Sequence, residues 1–361
     1  MQLLLKLIAA SSLFGSTIAV PQAAPLPTSA FALEGYARTN PTGSVSGGAG
    51  GPTTTVSAAS ALQSAVRVGT NPLNIVLRGN IALSGRLNVG SNKSVSMQSM
   101  QLSLCVLMML LTQLIGASTG GNITRYGISI TEQSNVIIRN IKFHPVTGND
   151  QISISESQRI WIDHNEFFSD PDLNRTGPDR YDGQVDISHA SDWITISWNY
   201  FHDHWKSSLV GNSDSNRAED FGKLHVTYHH NYWRNEGTRG NAGRFGFQHL
   251  YNNFYLDFHY QAIHSRSDNQ VLVEGNVFRG DTREALSTYG LVIPEDSPNT
   301  SPEGDYELDG YANLGALNDF GTAGVNITRV GTYTSPGYDY TLTPLTNVQA
   351  LVQSYAGVGK I

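Results

Sequence analysis

The sequence predicts an all-β chain wound as a right-handed parallel β-helix of about 22 residues per coil, with long loops on one face and short flanking helices. Six segments repeat one pattern: a strand of alternating apolar and polar residues, then Asn, then an aromatic residue one to three positions on. They close at Phe143, Phe168, Phe201, Trp233, Tyr255 and Phe278. Their asparagines, Asn140, Asn165, Asn199, Asn231, Asn253 and Asn276, stand 25, 34, 32, 22 and 23 residues apart, so a minimum period is interrupted by insertions. Period-2 alternation excludes a helical solenoid, and a propeller blade needs about 40 residues and four strands. Asparagine suits a repeated corner because it tolerates left-handed backbone, and its side chain can satisfy the next corner in a ladder. The aromatics are expected to stack inside or along the solenoid.

Taken in order, Met1 to about Ala24 has Lys6, an apolar stretch from Leu7 to Val20 and small residues before Pro21, the pattern of a secretory signal peptide. Residues 25–361 then form one domain, expected outside the cell. Glycosylation sequons at Asn92, Asn122, Asn174 and Asn326 fit that compartment. A Gly-rich stretch, GSVSGGAGG at 43–51, precedes a helical pattern at Val56 to Val66, and strand patterns begin at Asn74. Residues 96–122 break the repeat with the apolar run LSLCVLMMLLTQLIGA, too short at 16 residues for a span of about 20. After Gly290 the repeat fades into Pro, Asp, Gly and Asn-rich sequence read as long loops, and Asn347 to Tyr355 is an amphipathic piece suited to capping the solenoid end.

Charged residues are only 15% of the chain, which excludes coiled coil and charge-driven disorder. A net charge of −7 excludes the broad basic footprint of a nucleic-acid binder, so a polyanionic partner must be met locally or through a metal ion. The single Cys105 removes intramolecular disulfides. No membrane association is expected, and the chain is expected to act as a monomer.

Insertions into a solenoid gather on one face and often make the binding site. The two longest steps contain Asp170 to Asp192 and His202 to Asp220, and Asp150, Asp163, Asp170, Asp172, Asp179, Asp182 and Asp186 crowd one stretch. Such hard oxygen donors suit Ca²⁺, although acidic turn residues are common in loops and composition alone does not separate the two. In a straight strand Asp182 and Asp186 of DGQVD would lie about 13 Å apart. Either the chain bends at Gly183 or the two carboxylates have different roles. Lys206, Arg239 and Arg244 form a cationic trio beside this cluster, an arrangement for an anionic substrate bridged by metal and clamped by Arg and Lys, or else a set of surface salt bridges. His202, His204, His225, His229 and His230 match no closed zinc spacing, and strand alternation sends His229 and His230 to opposite faces. No GxSxG elbow is present, while paired carboxylates leave a glycosidase open.

These residues resemble the secreted, fungal-type pectate lyases of polysaccharide lyase family 1. The resemblance covers about Phe31 to Ser96 and Gly127 to Ile361, through GGAGG at 47–51, SNVIIRNI at 134–141, WIDH at 161–164, DGQVDISHASDWITISWN at 182–199, HDHWKSSLVG at 202–211 and TRGNAGRFG at 238–246. It implies a calcium site at Asp150, Asp182 and Asp186, with Asp182 where some members carry Glu. It implies substrate-carboxylate binding by Lys206 and Arg244, and Arg239 as the catalytic base. The implied reaction is calcium-dependent β-elimination on α-1,4-polygalacturonate, giving 4,5-unsaturated products. An arginine normally stays protonated, so a base role needs a neighbouring cation or desolvation to lower its pKa. A pectin lyase acting on methyl-esterified pectin is one alternative, although pectin lyases share the fold but lack this calcium set. A catalytically impaired β-helix that binds acidic polysaccharide is the alternative from another class. Two features depart from the family pattern: Asn241 replaces the usual Pro of R-x-P-x-x-R, which loosens the turn that positions Arg239, and residues 96–122 replace Gly-rich strand turns, as a retained intron or a frameshift in the gene would.

Overall fold

A computed structural model describes residues 28–67, 69–97, 121–297 and 300–361. The signal peptide and most of the anomalous stretch, with Cys105, lie outside the described residues. Parallel strands stack into three sheets of ten, nine and eight strands among those residues, and a short antiparallel pair, Leu291–Val292 with Asp305–Tyr306, stands apart. Each strand pairs with its counterpart one coil away, as Gln158–Asp163 does with Ser134–Arg139 on one side and Asp192–Ser197 on the other. This is the expected parallel β-helix. Among the described residues no helix is long and apolar enough to cross a membrane.

The repeat has a direct physical basis. Inward positions of neighbouring coils fall in register, so Val136, Ile160, Ile194 and Val226 form one buried column. Phe143, Phe167, Phe201, Trp233, Tyr255, Phe278 and Phe320 form another, each ring stacked on the next with centroids 4.0 to 5.8 Å apart. Between them Asn165, Asn199, Asn231, Asn253 and Asn276, all fully buried, make the ladder: from Asn199 on, each amide oxygen accepts from the backbone N–H and the side-chain amide of the preceding rung at 2.9–3.1 Å, and that of Asn165 accepts from Ile141 N–H. The left-handed corner, however, is not made by these asparagines, Asn140 excepted. His164, Trp198, His230, Asn252 and Gly275, the residues just before them, take positive φ.

Four other expectations are corrected. The helix near the N-terminus is Ala59–Arg67, preceded by a strand, Thr53–Val56, that pairs with Leu73–Leu77; it covers the first coil with Leu62, Ala65 and Val66. Ser96 and Met97 continue a regular strand and Asn122 opens another, so the described residues at both edges of the 96–122 stretch keep their places in the sheets. After Gly290 the solenoid adds a further coil, with Tyr311–Leu314 and Gly324–Asn326 joining two of the sheets and Asn318 extending the ladder. Finally, the helix Leu345–Tyr355 packs Val348 and Val352 on the outer side of Phe254 and Val277, against the flank of the solenoid. Phe320, Ala323 and Ile327 are the residues that meet the last part of the core.

Candidate active site

The corner between the eight-stranded and nine-stranded sheets collects the predicted residues other than Arg244, because that is where consecutive coils carry their insertions. Asp150 lies between the strands Lys142–Val146 and Ile152–Ser155, Asp182 precedes and Asp186 belongs to Val185–Ser188, Lys206 ends Tyr200–Lys206, and Arg239 follows Tyr232–Thr238. Backbone bonds bind these coils edge to edge: Gln151 N–H donates to Gly183 O at 2.9 Å, Gln184 N–H to Ser207 O at 2.8 Å and Ser208 N–H to Arg239 O at 2.7 Å.

The DGQVD question resolves as a bend. Regular strand begins only at Val185, and the Asp186 carboxylate folds back over Gly183 so closely that a β-carbon there would meet Oδ1 at 2.3 Å. Asp150 Oδ1 accepts from Gly183 N–H and Asp186 Oδ1 from Leu209 N–H, both at 3.1 Å. Burial and then the charge of Asp182 push Asp150 up to about 6; burial and then Asp150 push Asp186 well above the usual carboxylate range. Carboxylates that disfavour one another's charge in a poorly solvated corner make a place for a cation, and their all-oxygen chemistry fits Ca²⁺. Asp150 is buried and Asp182 exposed. Among the described residues no three His, Cys, Asp or Glu side chains converge as a metal site. The Asp182 backbone is braced from below by His204, whose Nε2–H donates to Asp182 O at 2.7 Å while Nδ1 accepts from Ser169 Oγ at 2.8 Å. Burial lowers His204 to about 4, which keeps it neutral with that tautomer.

Lys206 is half-buried, its Nζ 3.5 Å from Asp179 Oδ1. Arg239 is buried with left-handed backbone at φ 65. Its main chain is tied on both sides, through N–H to Gln261 O at 3.1 Å and O to Ser208 N–H, so the turn is fixed by the sheet even with Asn241 where proline was expected. Its Nε donates to Asp296 Oδ1 at 2.7 Å. Burial works to lower Arg239, but the Asp296, Asp186 and Asp182 carboxylates outweigh it and hold the guanidinium above its ordinary value. The desolvation needed for a base is present; its effect is overridden. Arg244 ends the strand Asn241–Arg244 and donates through Nε and Nη2 to Glu307, and through Nη1 to Gly211 O at 2.7 Å.

A family model for pectate lyases matches residues 1–361. Pectate lyase A of Aspergillus niger is 39% identical over 356 residues, covering 97% of this chain and 96% of that protein. Pectate lyase B of Colletotrichum gloeosporioides is 38% identical over 286 residues, 78% of this chain and 74% of its own. Among solved structures, the pectate lyase of Bacillus sp. N165 in complex with trigalacturonate superposes with a TM-score of 0.71 at 28% identity, covering 91% of this chain and 99% of that one. The chain belongs to the pectate lyase family. It is a lyase that cleaves pectate.

The candidate site has neighbours that the sequence did not announce. Asp296 and Glu307 reach Arg239 and Arg244 from 57 and 63 residues away, and Arg266 lies between them with no motif to mark it. Gly183 and His204 sat inside quoted motifs, and only the bend reveals their roles. The histidine expectation also needs correcting: His229 and His230 do not part to opposite faces, because the left-handed His230 brings its Nδ1 to 3.0 Å from that of His229. Both are pushed below the ordinary histidine range chiefly by burial, His230 to about 3, so the pair is neutral.

Proposed function

We propose that this pectate lyase is a secreted, calcium-dependent monomer that cuts α-1,4-polygalacturonate by β-elimination and releases 4,5-unsaturated oligogalacturonates. Asp150, Asp186 and Asp182 would hold Ca²⁺, Lys206 and Arg244 would bind galacturonate carboxylates, and Arg239 would take the C5 proton. One observation carries the reading: the crowded carboxylates Asp150 and Asp186 and the cations Lys206 and Arg239 stand on successive coils along one edge, matching an anionic polymer that needs both metal and basic contacts. The chemistry that a bound Ca²⁺ supplies is Lewis-acid withdrawal of charge from the galacturonate carboxylate, which acidifies the C5 proton.

The residues divide the remaining work. Lys206 fixes the carboxylate and with it the sugar ring, which turns a bimolecular encounter into a positioned one. Arg239 accepts the C5 proton, the C5–H electron pair becomes the C4–C5 double bond, and the C4–O bond breaks with the oxygen leaving to take a proton from water. Arg239 must be neutral at that moment. Burial favours this, and occupation of the aspartate site by a cation cancels part of the carboxylate field that opposes it.

The test is ultraviolet absorbance of purified protein on polygalacturonate, with calcium and with a chelator, since only elimination creates a double bond conjugated to the carboxylate. A calcium-dependent rise is expected. Chain shortening without a rise would show hydrolysis, and binding without either would show an impaired β-helix.

A further inference from the structure

Beneath the site runs a line of five alternating charges: Arg239, Asp296, Arg266, Glu307 and Arg244. Arg266 is its centre, fully buried, with Nη1 2.8 Å from Asp296 Oδ2 and Nε 3.4 Å from Glu307 Oε2. Both carboxylates come from chain that follows Gly290, Asp296 in the turn after Leu291–Val292 and Glu307 directly after Asp305–Tyr306. That chain is anchored nearby: Trp205 Nε1 donates to Glu295 O at 2.6 Å, and Ser267 Oγ donates to Glu307 at 2.7 Å.

Carboxylates lying on two substrate-site arginines admit two interpretations. They could be a displaceable plug that mimics galacturonate, or a fixed frame. Arg266 decides between them. Were Asp296 and Glu307 to lift away, a wholly buried guanidinium would lose both counter-charges, a far larger penalty than exposing a surface pair. Burial and the charge of Arg244 already push Arg266 below its ordinary value, so it depends on these partners. Arg266 and Arg239 together hold Asp296 well below the usual carboxylate range against the effect of burial, and Asp296 is therefore a permanent anion.

We propose that Asp296 is a positioning residue for the elimination, locked by Arg266 and acting through Arg239. It engages Arg239 along one edge, Nε on the carboxylate and Nη2 on the Asp296 carbonyl. Among the described residues none hydrogen-bonds Nη1, the end left for the sugar. Asp296 orients the guanidine and stabilises the guanidinium that forms when the C5 proton arrives, the part played for imidazolium by the aspartate of a Ser-His-Asp triad. This rests on Arg239 being the group that takes the proton.

The experiment compares steady-state kinetics of Asp296→Asn, Asp296→Glu and the charge-balanced pair Asp296→Asn/Arg266→Gln, the last of which removes the buried arginine should the first fail to fold. Arg239→Lys is measured alongside. A fall in kcat of about tenfold or more, with KM for polygalacturonate within about twofold and partial recovery in Asp296→Glu, is the expected result. Unchanged kcat in folded variants, or a change in KM alone, overturns the positioning role. A rise in kcat overturns it in favour of the plug. Wild-type turnover in Arg239→Lys removes the reading of Arg239 itself, whereas a crippled Arg239→Lys beside normal Asp296 variants overturns only the inference about Asp296.

Discussion

The Asp186 carboxylate rests directly over Gly183, with Oδ1 2.3 Å and Oδ2 2.6 Å from where a β-carbon would stand. Absence of a side chain at Gly183 is thus what lets Asp186 fold back toward Asp150 and Asp182. Gly183→Ala should push this carboxylate aside without unwinding the solenoid, since Gly183 has no left-handed φ to lose. Overpacking of this kind costs roughly 1–3 kcal/mol. The expected outcome is calcium affinity weakened about tenfold or more by titration calorimetry, with circular dichroism unchanged. Wild-type affinity would mean that Asp186 does not contribute to the cation site.

Asp182 raises the pKa of Asp150, and Asp150 that of Asp186, so the metal-free site stores repulsion. Asp150→Asn should therefore melt at or above the wild-type temperature in chelator. It should also lose most of the stabilisation that saturating calcium confers on the wild type, which for a single site is about 2.7 kcal/mol at a hundred times Kd. Thermal melts with and without calcium check both halves. A variant still stabilised as strongly as wild type would place the ion elsewhere.

What the sequence made legible follows from how local each signal is. Asn165, Asn199, Asn231, Asn253 and Asn276 each combine a corner and a rung within one short segment, so the architecture could be read from spacing alone. Asn318 carries the same signal, with Phe320 two residues on, but it stands 42 residues past Asn276 and the insertion hides the period. Asp182, Asp186, Lys206 and Arg239 stand out in the sequence because they sit in contiguous motifs, and Asp150 because it opens the acidic stretch before them. Asp296, Glu307 and Arg266 were not, because their only signal is a charge match across coils that the fold must first bring together. The backbone at His230 was hidden for a related reason: period-2 alternation fails where a corner turns left-handed.

Glu274 offers a pH test away from the cleft. Burial would raise its carboxyl, but hydrogen bonds from His249 Nε2 at 2.9 Å, Tyr340 Oη and Ala316 N–H outweigh it and hold Glu274 down at about 2, against 4.5 for a free side chain. A depressed folded pKa means that the unfolded chain binds more protons between these values, so stability falls as pH drops through that window. Its contribution is complete above about pH 4.5 and gone near pH 2. Glu274→Gln should lower the melting temperature at neutral pH and flatten its decline below pH 4.5. Parallel melting curves for the two proteins across acid pH would assign that decline to other carboxylates.

Asn231 tests whether the ladder holds the coils or only decorates them. Its Nδ2 donates to Ile196 O at 2.9 Å and Asn253 Oδ1 at 3.0 Å, while its Oδ1 accepts from both the backbone and the side chain of Asn199. Truncation to Ala leaves an unpaired carbonyl and two orphaned donors in a fully buried corner, a penalty of about 1–3 kcal/mol for each unsatisfied group before relaxation. Asn231→Ala should therefore destabilise by about 3 kcal/mol or more in denaturant titration, whereas Asn140, a corner residue outside the ladder whose Oδ1 accepts from Gly359 N–H, should cost less on the same change. A rung inside the ladder is worth more than a corner residue outside it because the coils on both sides lose a partner. Equal losses at the two positions would show that each corner is held by its own backbone, with the side-chain ladder contributing little.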